Sequence, residues 1–290
     1  MVGGSPHTCG CKTVISVDGL TRRYGDVLAV NDLSFTVAAG ECVAMLGPNG
    51  AGKSTTIEIL EGYRHRDGGN VNVLGVDPAR ATASWRARVG IVPQGASDMG
   101  DATVHEALSL FASLYRAPRS VMDTIDVVGL GAQRDTRLGR LSGGQRRRVD
   151  VALGIVGRPE LLFLDEPTTG FDPEARHVFW DVIAQLRADG TTIMLTTHYL
   201  EEADQLADRV IVVAGGRKVA DTTPAELGIR HGTSVRVSWR EGENRREELT
   251  DEPTRFVRDL MARYEGEIPG LEVTRVSLEE AYLQLIEDNS

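Results

Sequence analysis

Lysine is nearly missing from this chain. Of its 32 basic residues 29 are arginine, and the only lysines are Lys12, Lys53 and Lys218. A lysine at a particular motif position is therefore hard to ascribe to background composition. Cysteine is as scarce. Cys9, Cys11 and Cys42 are too few for a disulfide framework. Cys9 and Cys11 with His7 fall short of the four ligands of a closed zinc site, so residues 1–13 read as an inert, flexible extension. No run approaches the roughly 18 apolar residues a membrane span needs. Residues 1–13 also lack the apolar segment of a secretion signal. Few cysteines and no such signal fit a reducing cytosol. Positive net charge is missing too: the formal charge is −10. A protein that grips duplex DNA normally presents a basic face, so nucleic acid is not expected as a partner.

The 290 residues, 41% hydrophobic and 26% charged, describe a globular chain long enough for one large domain and a smaller one. Short apolar or alternating runs at 14–17, 33–37 and 43–46 predict strands, with a helix starting near Ser54. Gly68, Gly69 and Asn70 read as a turn before a strand at 71–74. Thr103 and Glu106 form a capping-box pair ahead of Val104, Ala107, Leu108, Phe111 and Tyr115 at helical spacing.

Residues 129–140 read as loop, and a helix opens at Ser142 and stops at Gly157 and Pro159. Residues 161–164 are a buried-strand run. Asp172 and Pro173 open a helix with an apolar stripe of Ala175, Val178, Phe179, Val182, Ile183 and Leu186. A strand at 191–197, a helix at 199–207 and a strand at 210–214 follow. Strands alternating with helices predict a parallel α/β sheet. After about residue 224 the composition shifts. An exposed strand at 234–239, a charged loop at 240–252, a helix at 256–264, a strand at 273–276 and a last helix capped by Ser277 and Glu280 suggest a small α+β appendage. That helix carries Ala281, Tyr282, Leu285 and Ile286.

The strongest chemical signal is Gly47, Pro48, Asn49, Gly50, Ala51, Gly52, Lys53, Ser54, which fits G-x-x-x-x-G-K-[ST] and runs on into Thr55. Average composition yields such a match in about one chain of this length in a hundred, so context matters. Here it lies between a predicted strand and a predicted helix. Glycines let backbone N–H groups converge on phosphate oxygens. Lys53 reaches the outer phosphates, and Ser54 suits a Mg²⁺ ion. A second signal is the apolar run ending in Asp165 and Glu166. Asp165 sits where open α/β sheets bind ligands and suits Mg²⁺, while Glu166 can orient or deprotonate water. His198 follows the strand at 191–197, so three strand ends can share one edge.

Leu141, Ser142, Gly143, Gly144 and Gln145 put a serine cap and two glycines at a helix start, leaving N–H groups open to an anion. One triphosphate does not need two such sites in one chain. The natural resolution is that the second closes over a nucleotide held by another copy. Arg146, Arg147 and Arg148 just beyond read as a solvated helix face.

Taken together, residues from about 14 to 220 resemble the ABC ATPase family. That resemblance implies a P-loop NTPase of ABC type: a mixed sheet core, an antiparallel β subdomain and a helical subdomain at about 95–158. The ATPase domain would span 14–223, with a C-terminal α+β appendage at 224–290. It implies ATP and Mg²⁺ as cofactors, with Tyr24 stacking on adenine and Gln94 sensing Mg²⁺ and a membrane partner. Ser142 to Gln145 would form the signature, Asp172 would lie at the dimer seam, and His198 would contact the γ-phosphate. Ser54, Gln94 and Asp165 would attend the metal, and Glu166, His198 and Gln94 the reaction. Phe171 departs from the leucine usual before Asp172, which implies altered packing at that seam.

The segment Thr196 to Asp204, the end Ser277 to Leu283 and the appendage resemble the daunorubicin-resistance type in particular. Members pair with ABC-2 membrane subunits and are mostly linked to export and antibiotic resistance. This implies a dimeric, peripheral protein on the cytoplasmic face of the cell membrane, driving export of a drug-like or lipophilic compound. The alternative is a soluble ABC ATPase acting on ribosomes, DNA or cluster assembly without a membrane partner.

Overall fold

The computed structural model describes residues 12–93, 99–230, 235–242, 244–264, 266–275 and 278–287. Gln94, Cys9, Cys11, His7 and Ser277 lie outside them. The first half carries β1 (Thr13–Tyr24), β2 (Val27–Ala38), β3 (Cys42–Leu46), α1 (Lys53–Leu60), β4 (Gly68–Val73), α2 (Ala83–Arg86), β5 (Val89–Val92), α3 (Val104–Ala112), α4 (Val121–Val127) and α5 (Gly143–Ile155). There follow β6 (Leu161–Asp165), α6 (Pro173–Ala188), β7 (Thr192–Thr197), α7 (Leu200–Leu206), β8 (Arg209–Ala214) and β9 (Arg217–Thr222). The chain continues through α8 (Pro224–Arg230), β10 (Val235–Glu241), β11 (Asn244–Thr250), α9 (Pro253–Met261), β12 (Glu272–Arg275) and α10 (Leu278–Glu287).

The central sheet has the order β5-β6-β7-β3-β8-β9. Its first five strands are parallel and β9 is antiparallel to β8, so the core sheet is mixed, as expected. Both faces are covered, which is why its central strands read as unbroken apolar runs. Alternate residues enter different cores. Ala44, Leu46, Leu162, Leu164 and Leu195 pack with Leu108, Val149, Phe179 and Ile183 on the helical side. Val43, Met45, Phe163 and Met194 pack with α1 and the antiparallel sheet β2-β1-β4. Cys42 is buried in the first of these cores, and burial pushes its thiol up to about 12, so it stays protonated.

The structure corrects several local readings. Gly68 and Gly69 belong to β4, paired with β1 across an irregular register at Asp18 and Thr21. Gly69 has φ +84°, and a Cβ there would lie 2.4 Å from the Gly19 carbonyl oxygen, so the glycine serves a close strand approach and not a turn. On α6 Val178 is 37% exposed, and Trp180 is buried in its stead. Residues 234–239 suggest an exposed strand, but β10 is the middle strand of β11-β10-β12, with Val237, Ser238 and Trp239 buried. The expected charged loop is largely β11. Its charges pair across strands, Arg246 with Glu241 at 3.0 Å and Arg236 with Glu247 at 3.9 Å.

The small sheet has a core of its own, Val237, Trp239, Leu260 and Ile268. Leu227 of α8 and Leu285 of α10 instead join the large core beside α7.

Candidate functional site

Three neighbouring parallel strands, β6, β7 and β3, end level with one another: Asp165 pairs with Thr196, and Thr197 with Leu46. The residues just beyond them therefore share one edge, as the sequence suggests. After β3 the chain forms the loop at 47–52 and enters α1 at Lys53. Gly52 precedes the helix at φ +97°, where a Cβ would lie 2.3 Å from the Ala29 carbonyl oxygen. Only glycine fits that turn.

Lys53 is almost fully buried, and its Nζ donates to the Gly47 and Pro48 carbonyls at 2.8 and 3.1 Å. Burial lowers its pKa, while Glu166 and Asp165 oppose that shift. Tyr24, Ala29, Asn49, Gly50, Gly52, Lys53, Ser54, Thr55 and Glu166 line an open cleft of about 530 Å³. Tyr24 closes one end as the last residue of β1. The guanidiniums of Arg22 and Arg64 lie 4.9 and 5.3 Å from its ring centre, and each is anchored by a carboxylate, Asp67 and Glu58.

The acidic pair is held by β7. Thr196 Oγ1 donates to Asp165 Oδ1 and accepts from the Glu166 N–H at 3.0 Å. The same N–H reaches the Thr196 carbonyl at 3.1 Å. Glu166 stands at φ +43°, left-handed for a residue with a side chain. Such a conformation costs about 1–3 kcal/mol and persists only where neighbours enforce it. Its Oε2 lies 3.5 Å from His198 Nδ1 and accepts from Thr169 Oγ1 at 3.3 Å.

Ser142 and Gln145 form a reciprocal capping box. Ser142 Oγ accepts from the Gln145 N–H at 3.2 Å, and Gln145 Oε1 accepts from the Ser142 N–H at 3.0 Å. A Cβ on Gly143 would meet nothing within 4 Å, so this helix start is open to the outside. Gly143 borders a different cleft, of about 220 Å³, shared with Glu166, Thr169, Gly170 and Phe171. Glu166 touches both clefts; Ser142 to Gln145 do not line the one at Lys53. Asp172 caps α6 by accepting from the Ala175 N–H at 2.8 Å. Phe171 packs edge-on against Phe179, with ring centres 5.8 Å apart.

Three residues that matter here escape the sequence reading. Thr196 has no motif beyond its place beside Thr197 and His198. Arg147 was expected on a solvated face, yet it is buried and donates to three carbonyls, those of Pro93, Asp165 and Pro167. Arg148 is half-buried and donates to Val128 and Gly129 at 3.2 and 3.0 Å, so the solvated-face reading fails for both. Glu202 is wholly buried behind Thr197. Neither of its oxygens closes a hydrogen bond of normal geometry among the described residues. Burial pushes its carboxyl up to about 7, against the opposing pull of the Thr197 and Thr168 hydroxyls and the Arg176 and Arg147 charges.

A glycine loop leading from a central parallel strand into a helix, next to an acidic strand end, defines a P-loop nucleotide hydrolase. Comparison with known proteins narrows the class. A family model described as ABC transporter matches residues 30–169. The Nod factor export ATP-binding protein I of Burkholderia lata is 45% identical over 219 residues, covering 73% of this chain and 72% of that protein. Its counterpart in Rhizobium sp. (strain N33) is 42% identical, covering 76% and 74%. Among solved structures, an ATP-binding subunit of an ABC transporter shares 24% identity at a TM-score of 0.70, covering 94% of this chain and 99% of its own. A dimeric ATP-binding cassette in a post-hydrolysis state with ADP and Pi shares 22% at 0.65, covering 72% and 98%. These two speak for the fold. The chain belongs to the ABC transporter family, as an ATP-binding subunit that hydrolyses ATP.

Proposed function

We propose that this ATPase powers export of a drug-like or lipophilic compound through a separate membrane subunit of the ABC-2 type, from the cytoplasmic face of the membrane. No helix among the described residues is long and apolar enough to cross a membrane, which agrees with a path supplied by a partner. The export relatives named above favour that direction of transport. A cleft of about 360 Å³ between α3 and the end of β5, lined by Ile91, Pro93, Phe111, Tyr115 and Glu61, suits a partner's helix. Its lining residue Pro93 is next in sequence to Gln94, the residue assigned to sense that partner.

The observation that carries the catalytic reading is the separation of two half-sites in one chain. Lys53 and Glu166 line one cleft, and the open helix start at Ser142 and Gly143 lies beside another. A triphosphate in the first is completed by Ser142 and Gly144 of a second copy packed head to tail. Closure then has affinity only while the γ-phosphate bridges both surfaces, and hydrolysis removes the bridge.

Among the described residues no three His, Cys, Asp or Glu side chains gather into a metal site. One carboxylate, Asp165, with the Ser54 hydroxyl fits Mg²⁺ that arrives on the nucleotide. When bound, that ion neutralises charge on the outer phosphates. The chain's own groups do the rest. Tyr24 offers a ring face to the base, and Lys53 exchanges the Gly47 and Pro48 carbonyls for phosphate oxygens. Glu166 orients the attacking water, and His198, 3.5 Å from Glu166, holds the γ-phosphate.

The test is Glu166→Gln. It should bind ATP, hydrolyse it very slowly and elute as a dimer only with ATP. A variant that stays monomeric in saturating Mg-ATP counts against the two-copy site. Recovery of the wild-type chain from membranes with an integral subunit tests the partner, and exclusive recovery in the soluble fraction opposes it.

A further inference from the structure

We infer that Arg147 is a positioning residue for Glu166, coupling the placement of the signature helix α5 to the geometry of the catalytic carboxylate. The inference rests on the assignment of Glu166 made above. Arg147 lies five residues beyond the Ser142 cap and is 8% exposed. Its Nε donates to the Pro167 carbonyl at 3.0 Å, one terminal nitrogen to the Asp165 carbonyl at 2.9 Å, and the other to the Pro93 carbonyl. The Asp165 and Pro167 carbonyls bracket Glu166 on either side. One planar guanidinium thus pins the backbone before and after a residue held at φ +43°. Together with the two Thr196 contacts to the Glu166 N–H, it supplies the restraint such a conformation needs.

The third contact extends the linkage. Pro93 directly follows β5 and itself lines the expected partner cleft, so the same side chain also touches that cleft's wall. Next along α5, Arg148 reaches the other way, to the Val128 and Gly129 carbonyls after α4. Adjacent arginines therefore tie α5 to the sheet edge and to the helical layer. A shift of α5 against the sheet must pull Arg147 from the Glu166 loop. Asp150, one turn along α5, leads the charges that offset its burial, with Asp165 and Glu202 behind it. Lysine matches the charge but not the rigid fork that serves three carbonyls at once.

The experiment is a double-mutant cycle on the full chain with Mg-ATP, measuring kcat, KM and ATP affinity. Arg147→Met should lower kcat by about 10²-fold, with KM and affinity changed about twofold or less. Arg147→Lys should restore part of the loss, and it carries the same readings if the methionine variant does not fold. In a Glu166→Gln background, Arg147→Met should cost nothing further, since the group it positions is already disabled. Three results overturn the inference: turnover near wild type, affinity falling in step with kcat, or a full additional loss on top of Glu166→Gln. Normal turnover by Glu166→Gln alone brings down the Glu166 assignment as well, and it is recognisable because Arg147 is intact there.

Discussion

Lys53 spends its ammonium on the Gly47 and Pro48 carbonyls, contacts a phosphate can replace. Lys53→Ala should leave the loop folded and lower phosphate release by at least about 10²-fold; wild-type turnover contradicts the assignment. Glu202 yields a pH prediction. Its folded pKa, about 7, lies above the ordinary 4.5. Below pH 4.5 both folded and unfolded chains hold the proton and the group costs nothing. Between 4.5 and 7 the unfolded chain releases it first, so stability falls, and above 7 the cost is complete. Such a shift is worth on the order of 3 kcal/mol. Glu202→Gln should therefore melt higher than wild type at pH 8, with the difference shrinking toward pH 5. A pH-independent difference refutes it. The contrast between these residues shows what sequence reveals. Lys53, Asp165, Glu166 and His198 sit in local patterns with chemical meaning. Arg147, Thr196 and Glu202 act through burial and partners tens of residues away, and Arg147 in an arginine run looks like any solvated charge.

The starts of α3 and α5 share one device, which separates stability from chemistry at the scale of an element. Thr103 and Glu106 cap α3 reciprocally, as Ser142 and Gln145 cap α5. Losing either hydroxyl should cost about 1 kcal/mol. Only Ser142 faces a proposed second nucleotide, so Thr103→Ala and Ser142→Ala should melt alike while only Ser142→Ala loses most of its ATPase activity. Equal activity in the two variants removes the signature role. Both caps were legible because S/T-x-x-E/Q is written in four consecutive residues, and β3, β6 and β7 were legible because burial on both faces leaves short apolar runs, Cys42–Leu46, Leu161–Leu164 and Ile193–Leu195. The edge strands β9 and β11 were not. β9 reads RKVADT and β11 reads NRREELT, polar as edges that must not recruit another strand tend to be. Composition alone cannot tell such a strand from a loop.

At the scale of the molecule, the chain after residue 224 serves two cores. Trp239 sits in the small one with Val237, Leu260 and Ile268, and Leu285 in the large one under α7 and α8. No local pattern announces this, because α10 reaches the large core only after the small sheet has intervened. The division has a thermodynamic consequence. ATP bound in the Lys53 cleft, as proposed, raises the melting of whatever unit contains that cleft. Leu285→Ala, which opens a cavity in the large core at a cost of about 2–5 kcal/mol, should lower the ATP-sensitive transition seen by calorimetry. Trp239→Ala removes a larger side chain, yet it should spare that transition and ATP affinity, because its cavity opens in the separate small core. If Trp239→Ala lowers the ATP-sensitive transition as far as Leu285→Ala does, the two cores melt as one, and the small sheet must be counted as part of the ATPase.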